Sequence, residues 1–318
     1  MEQLQVRVLR KTAEAEGITS FEMARDDGAP LPAFSAGSHI DVQLPGGLTR
    51  QYSLCNDSGE NHRYRIAVLR DPASRGGSAA MHDSVQQGDL LQISVPRNHF
   101  PLHQAPRSLL LAGGIGVTPL LCMAQRLASL GAAFELHYCT RSVERTAFHG
   151  EIAAAPFAAS VFLHTDDGAG AQKLDLDALL AQPDAGTRIY VCGPAGFIAH
   201  VTGTAKAKGW PDSQVHLEYF GAAPQDRSAD DAFDVKIASS GKTYTVGKDQ
   251  NVIQALQAHG VEIMVSCEQG VCGTCITRVL QGEPDHRDLY FTDEEKALND
   301  QFTPCCSRSK SPLLVLDL

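Results

Sequence analysis

The sequence predicts a multidomain chain in three parts: an antiparallel β-barrel over residues 1–104, an α/β unit on a parallel sheet over 105–220 and, after a linker at 221–231, a small β-grasp unit over 232–318. Three observations carry this. The first hundred residues hold short period-two strands and no long helix. Residues 108–131 run strand, glycine turn and amphipathic helix, and further strand and helix segments follow. Finally, Cys267, Cys272 and Cys275 crowd into one loop of a C-terminal segment that otherwise reads as a hairpin, a helix and short strands.

Bulk properties set the bounds. A chain of 318 residues, 43% of them hydrophobic, is long enough for two or three cores. The N-terminus alternates polar and apolar residues without the apolar block of an export signal, and the most apolar run, residues 109–124, is broken by three glycines and a proline. No membrane span is expected, and the cytoplasm is the default location. In a reducing compartment, clustered cysteines serve metals or catalysis more often than disulfides. A net charge of −10 argues against a nucleic-acid partner and suits a basic protein partner.

In the barrel segment, "LQVRVLRK", "SHIDVQL", "RQYSLCN", "YRIAVLR" and "DLLQISV" alternate between glycine and proline turns. Two stretches carry chemistry. "RQYS" puts Arg50 and Tyr52 on one strand face and Ser53 on the other, and "SRGGS" offers glycine N–H groups and a hydroxyl to a phosphate.

In the middle segment, Gly113, Gly114 and Gly116 let the backbone approach a pyrophosphate at a helix N-terminus, where free N–H groups and the helix dipole favour negative charge. Pro119 stands where a dinucleotide fingerprint would place its last glycine, so the match is imperfect. Later strands "FELHYCTR", "SVFLHT" and "TRIYVCGP", each followed by a helix candidate, imply a parallel sheet covered on both faces. "CGP" falls just past a strand's carboxyl end, the side on which such sheets bind ligands. Cys192 reads equally well as a small buried hydrophobe.

The cysteines of the last segment read C-x4-C-x2-C, and Cys305 follows with 29 residues between it and Cys275. This is the plant-type [2Fe–2S] spacing. A zinc site usually has two C-x2-C pairs, and only Cys272 and Cys275 form one here. A thioredoxin-like pair should open a helix, whereas "CITRVL" reads as a strand. Gly270 and Gly273 permit close backbone approach. Of the adjacent Cys305 and Cys306, neighbours in extended backbone point apart, so one is expected to reach the cluster, and Cys305 is the choice. "FDVKIA" and "KTYTVG" form a hairpin, "NVIQALQAHG" a helix with a glycine stop and "PLLVLDL" a last strand, the pattern of a β-grasp ferredoxin.

Taken in order, R-x-Y-S, GGS, GGIGVTPL, CGP and the cysteine set resemble the phthalate dioxygenase reductase family over essentially the whole chain. The resemblance implies a flavin-binding barrel in which Arg50, Tyr52 and Ser53 hold the flavin and Gly76, Gly77 and Ser78 its phosphate, with FMN rather than FAD. It further implies that Gly114, Gly116, Thr118 and Pro119 hold the pyridine nucleotide and that Cys192, Gly193 and Pro194 lie near the nicotinamide. "EYF" resembles the segment whose terminal aromatic stacks over the flavin, which points to Phe220. Ser53, Cys192 and Phe220 are thus the candidates at the reacting rings, and Cys267, Cys272, Cys275 and Cys305 the metal ligands.

The implied function is the reductase component of a two-component Rieske-type aromatic oxygenase. NADH gives up two electrons together as hydride and a [2Fe–2S] cluster takes one at a time, so a flavin connects them. A fall from a cluster near −400 mV to a Rieske acceptor at −150 mV or above, roughly 0.25 V, is worth about 6 kcal/mol per electron. The exposed rim of the cluster loop, residues 268–274, is the expected docking surface. For the nucleotide, Thr140, Arg141 and Ser142 suit a 2′-phosphate and Asp166 and Asp167 suit ribose hydroxyls; the resemblance favours NADH. A stand-alone flavin reductase would need only the first two domains, and a non-catalytic iron–sulfur sensor or carrier would need no nucleotide site.

Overall fold

The computed structural model describes residues 3–222 and 225–318, so Ala223 and Pro224 of the expected linker lie outside the described residues. The chain divides into two compact units, 1–220 and 221–318.

In the first unit, β1 (Gln3–Ala15), β2 (Ile18–Ala24), β3 (Ser38–Gln43), β4 (Thr49–Ser53), β5 (Tyr64–Leu69), β6 (Leu90–Ser94) and β7 (Arg97–Asn98) make one sheet in the order β4-β3-β6-β1-β2-β5, with β7 on β3. All the pairings are antiparallel, and the two between consecutive strands, β1–β2 and β3–β4, close through short turns. A bridge from Leu54, just past β4, to Ile66 of β5 brings the two edges together and closes the barrel. Alternate residues such as Val6, Val8, Ile40, Val42, Ile66 and Val68 fill its interior. A short helix, α1 (Gly77–Asp83), starts inside the stretch that reads as a glycine loop.

The second half of this unit alternates β8 (Arg107–Gly113), α2 (Val117–Ser129), β9 (Ala133–Thr140), α3 (His149–Ala154), β10 (Val161–Thr165), α4 (Leu176–Leu179), β11 (Thr187–Cys192), α5 (Ala195–Lys208) and β12 (Val215–Glu218). Its sheet is parallel throughout, in the order β10-β9-β8-β11-β12. Both faces are buried, one against α2 and α3 through Leu110, Leu136 and Tyr138, the other against α4 and α5 through Leu109, Leu111, Ile189 and Val191. This explains why β8 reads as an unbroken apolar run. Strand order reverses between β8 and β11, the kind of switch point at whose carboxyl side parallel sheets bind ligands. The barrel contributes Ile18, Ala67 and Phe100 to the core around α2. Arg65 of β5 ties the two halves by donating to both Glu151 carboxylate oxygens of α3, at 2.6 and 2.8 Å.

The second unit comprises β13 (Phe233–Ile237), β14 (Thr243–Val246), α6 (Val252–Gln257), β15 (Thr277–Gln281), β16 (Pro284–Asp285), α7 (Asp293–Leu298), β17 (Gln301–Phe302), β18 (Arg308–Ser309) and β19 (Leu313–Leu316). Its sheet runs β14-β13-β19-β15-β17, with β13 and β19 parallel at the centre, and β16 and β18 form a separate ribbon. Val252, Ala255 and Leu256 pack α6 across this sheet, the β-grasp arrangement. Capping boxes, Asn251 with Gln254 and Thr292 with Glu295, start α6 and α7. The end of the expected linker is fastened to this unit: the buried Asp230 carboxylate meets Arg287 at 2.6 Å and Arg308 at 3.3 Å.

Candidate functional site

At the carboxyl ends of β8 and β11 the glycines divide their work. A Cβ on Gly116 would fall 2.2 Å from the Cys192 carbonyl oxygen, and one on Gly193 would fall 2.9 Å from the Gly113 Cα, so these glycines let the two strand ends touch. Gly114, at φ +54°, has open space about its Cα and lies before α2, whose N-terminal N–H groups suit a phosphate. Thr118 and Pro119, expected at the nucleotide, are both buried, and the Thr118 hydroxyl donates to the Ile115 carbonyl at 3.1 Å. They shape the turn from within. Pro194 opens α5 directly after Cys192 and Gly193.

Beside these strand ends, parallel register sets Glu218 of β12 next to Cys192 of β11. The Ser53 hydroxyl at the end of β4 donates to Glu218 Oε2 at 3.3 Å, which joins the barrel to the parallel sheet. Burial pushes the Glu218 carboxyl up to about 8, partly offset by that hydrogen bond, so the group is neutral at pH 7. Burial, with Glu218 adding to it, raises the Cys192 thiol well above its ordinary value. Cys192 is therefore an uncharged thiol and no nucleophile. Phe220 lies two residues past Glu218 and is 42% exposed. Ser53, Cys192 and Glu218 are thus brought together. The sequence reading missed Glu218, although an acidic residue closing a parallel strand was a usable signal.

On the barrel, Arg50 lies across Gly77, where a Cβ would stand 2.6 Å from its Cγ, next to the left-handed Gly76 (φ +92°) that leads into α1. Ser78 Oγ accepts the Asp71 N–H at 3.1 Å. Tyr52 packs against the barrel core, and burial raises its phenol. A guanidinium laid over a glycine at the start of a helix fits the phosphate of a flavin.

In the second unit Cys267, Cys272, Cys275 and Cys305 are all buried. The Cys267 sulfur accepts from the Cys272 and Cys305 thiols and from the Gln269 and Val271 N–H groups, which together favour a thiolate there. Cys305 also faces Cys275, and the Thr274 N–H points at the Cys272 sulfur at 3.5 Å. Four converging sulfurs with N–H groups aimed at them fit a [2Fe–2S] cluster. The backbone at Cys305 and Cys306 differs from the extended form the sequence suggests. Cys305 and Cys306 sit in a turn, with the Cys306 and Ser307 N–H groups both on the Thr303 carbonyl, not in extended backbone. Cys306 is also buried; its sulfur meets Thr303 Oγ1 at 3.3 Å as well as the Cys305 thiol.

Gly270 and Gly273 adopt φ +71° and +69° and give way to protein atoms: a Cβ would lie 2.3 Å from the Cys306 sulfur at one and 2.5 Å from the Tyr290 ring at the other. Gly270→Ala is therefore expected to push the cluster loop open. Its measured outcome is acid-labile sulfide per chain reduced to about half or less with flavin content unchanged, as strain of about 1–3 kcal/mol at a ligand loop implies.

A flavin-type barrel, a nucleotide-binding parallel sheet and a four-cysteine β-grasp unit in one chain define an iron–sulfur flavoprotein oxidoreductase fed by a pyridine nucleotide. Over 305 residues, 96% of each chain, the sequence is 57% identical to a vanillate O-demethylase oxidoreductase of Pseudomonas sp. (strain HR199 / DSM 7063). The chain belongs to the phthalate dioxygenase reductase family. The solved phthalate dioxygenase reductase, described as a modular structure for electron transfer from pyridine nucleotides to [2Fe–2S], matches with a TM-score of 0.79 and 39% identity, over 99% of this chain and 98% of that one. An intact type IV self-sufficient cytochrome P450 monooxygenase matches with a TM-score of 0.85 and 38% identity, and there the alignment covers 99% of this chain but only 41% of the other. Residues 235–310 match the 2Fe-2S iron-sulfur cluster binding domain, and residues 97–215 match the N-terminal domain of dimethylamine monooxygenase subunit DmmA-like proteins. Among the described residues, no helix is long and apolar enough to cross a membrane.

Proposed function

We propose that this chain is the reductase component of a two-component Rieske-type aromatic oxygenase, of the O-demethylase kind, passing electrons from NADH through FMN and a [2Fe–2S] cluster to the oxygenase. The observation that carries it is the convergence of Cys267, Cys272, Cys275 and Cys305 in a unit that follows a nucleotide-binding sheet. The bound groups supply hydride transfer and its division into single electrons.

The chain's own residues do the rest. Residues 1–104 hold the flavin, with Arg50, Gly76, Gly77 and Ser78 at its phosphate and Tyr52 against its ring. Residues 105–220 hold NADH, with Gly114 and the α2 N-terminus at the pyrophosphate, Gly116, Thr118 and Pro119 shaping that turn, and Cys192, Gly193 and Pro194 bounding the nicotinamide. Phe220 covers the flavin when the nicotinamide is absent. Glu218 keeps a proton within one hydrogen bond of the Ser53 hydroxyl, and its neutrality spares the site a buried negative charge as hydride moves. Residues 232–318 hold the cluster, and the rim of its loop at 268–274 docks the oxygenase.

Reconstitution with a panel of Rieske oxygenases, one of them a vanillate O-demethylase terminal component, tests the proposal. Substrate-dependent product formation with NADH is expected from at least one pairing. NADH oxidation that yields no product with any of them, or charge reversal at Glu268 that leaves turnover with the cognate oxygenase unchanged, counts against the function or the docking site respectively.

A further inference from the structure

We propose that His164 and His137 are positioning residues of the nucleotide site: acting through Gln172, they hold residues 165–172 in the shape that receives the adenosine half of the pyridine nucleotide. This rests on the reading of residues 105–220 as the nucleotide site and adds which part of the ligand this loop meets.

The orientation of the nucleotide follows from the site. Its nicotinamide belongs at the junction of Ser53, Glu218 and Cys192, beside the carboxyl ends of β11 and β12. The pyrophosphate belongs at the turn between β8 and α2. In the sheet, β9 and then β10 continue on the far side of β8, so the adenosine half runs toward their carboxyl ends. There the Asp166 N–H donates to the Thr140 carbonyl at 3.0 Å and the Asp167 N–H to the Arg141 carbonyl at 3.3 Å. Strand pairing thus extends past β9 and β10 and presents the two segments as one lip.

This loop is built around a single side chain. Gln172 Nε2 donates to both the carbonyl and the hydroxyl of Thr165, each at 2.9 Å. Gly168 lies so close over that amide that a Cβ would fall 1.6 Å from Nε2. The Gln172 backbone carbonyl is held from below by His164 Nδ1 at 2.6 Å. Because a carbonyl only accepts, His164 carries its proton on Nδ1 and presents a lone pair at Nε2. That lone pair lies 3.0 Å from His137 Nδ1, which must then be the donor. With its proton on Nδ1, a neutral His137 has none for Nε2, which lies 3.3 Å from Glu135 Oε2, while Arg107 donates to Glu135 Oε1 at 2.8 Å. Stacking fixes the ring planes: His137 lies 13° from the plane of His164 and 15° from that of Phe162. Donation of set polarity therefore runs from His137 on β9 through His164 on β10 to the loop. Hydride transfer at the opposite end of the sheet makes no use of these two histidines, and the loop is what they hold.

The test compares His164→Leu, which removes the donor, with His164→Asn, whose amide N–H takes the place of Nδ1–H, and with Gly168→Ala, which wedges the loop while leaving both histidines intact. With holoenzyme and ferricyanide as acceptor, His164→Leu is expected to raise the KM for NADH about tenfold, the loss of one buried hydrogen bond, and to weaken inhibition by ADP-ribose equally. The kcat at saturating NADH should stay within about twofold, and use of reduced nicotinamide mononucleotide, which lacks the adenosine half, should not change. His164→Asn should recover most of the lost affinity, and Gly168→Ala should reproduce the leucine result. Unchanged KM and ADP-ribose inhibition in both His164→Leu and Gly168→Ala overturn the proposal, as does an equal loss with reduced nicotinamide mononucleotide. Wild-type protein that neither accepts hydride from NADH nor binds ADP-ribose would instead overturn the underlying nucleotide-site reading.

Discussion

Cys305→Ser is expected to strip the [2Fe–2S] cluster and cut NADH-driven cytochrome c reduction on the order of 100-fold, while ferricyanide reduction through the flavin stays within about twofold. Cys305 lies between Cys267 and Cys275, so its removal leaves three sulfurs and a gap that a hydroxyl, a hard and weakly acidic donor, fills poorly. Cys306→Ser is the control that makes the comparison decisive. Its sulfur is in contact with Thr303 and Ser307, with which a serine hydroxyl can still hydrogen bond, so cluster content and cytochrome c reduction should fall by less than about twofold. Iron, sulfide and visible circular dichroism on both variants would read this directly. If Cys306→Ser loses the cluster and Cys305→Ser keeps it, the ligand set named here is wrong.

That contrast also shows what a sequence can and cannot reveal. C-x4-C-x2-C is legible because three ligands on one short loop are constrained by local chain geometry, and spacing records that constraint. Choosing between Cys305 and Cys306 is not local. The extended backbone assumed for them is a turn on Thr303, and their different surroundings come from how that turn packs. Gly270 and Gly273 read from the sequence as permitting close backbone approach, but the atoms that demand them, the Cys306 sulfur and the Tyr290 ring, come from residues 17 to 36 positions away in the chain. Likewise, the glycines after β8 signal a phosphate turn, yet Gly116 is required by the Cys192 carbonyl of β11, three strands later. Strand alternation and the strand–turn–helix pattern gave the layers, since burial imposes a period of two or an unbroken apolar run. Asp230 reads as linker charge until Arg287 and Arg308 close around it.

Glu218 was the least legible functional group, because its partner Ser53 lies 165 positions away, and it supports the second large prediction. Its folded-state value near 8 lies above the ordinary carboxyl value of 4.5, so between those pH values the folded chain keeps a proton that the unfolded chain has lost. Stability of the first unit should therefore fall as pH rises from about 4.5 to about 8 and level off beyond, the Glu218 contribution amounting to roughly 5 kcal/mol at most. Glu218→Gln stays neutral at every pH and still accepts from Ser53. Urea unfolding should find it close to wild type at pH 5 and more stable than wild type at pH 9. Catalysis should follow the same neutrality: a glutamine places no buried negative charge at the site, so hydride transfer from NADH, followed by stopped-flow bleaching of the flavin, should stay within about twofold of wild type at pH 7. Wild-type rates should decline above pH 8 as the buried carboxyl ionises, and the variant's rate should be flat over the same range. Equal stability of the two proteins at pH 9 would mean that Glu218 is ionised in the folded protein at neutral pH, and the role given to its proton would fall with it.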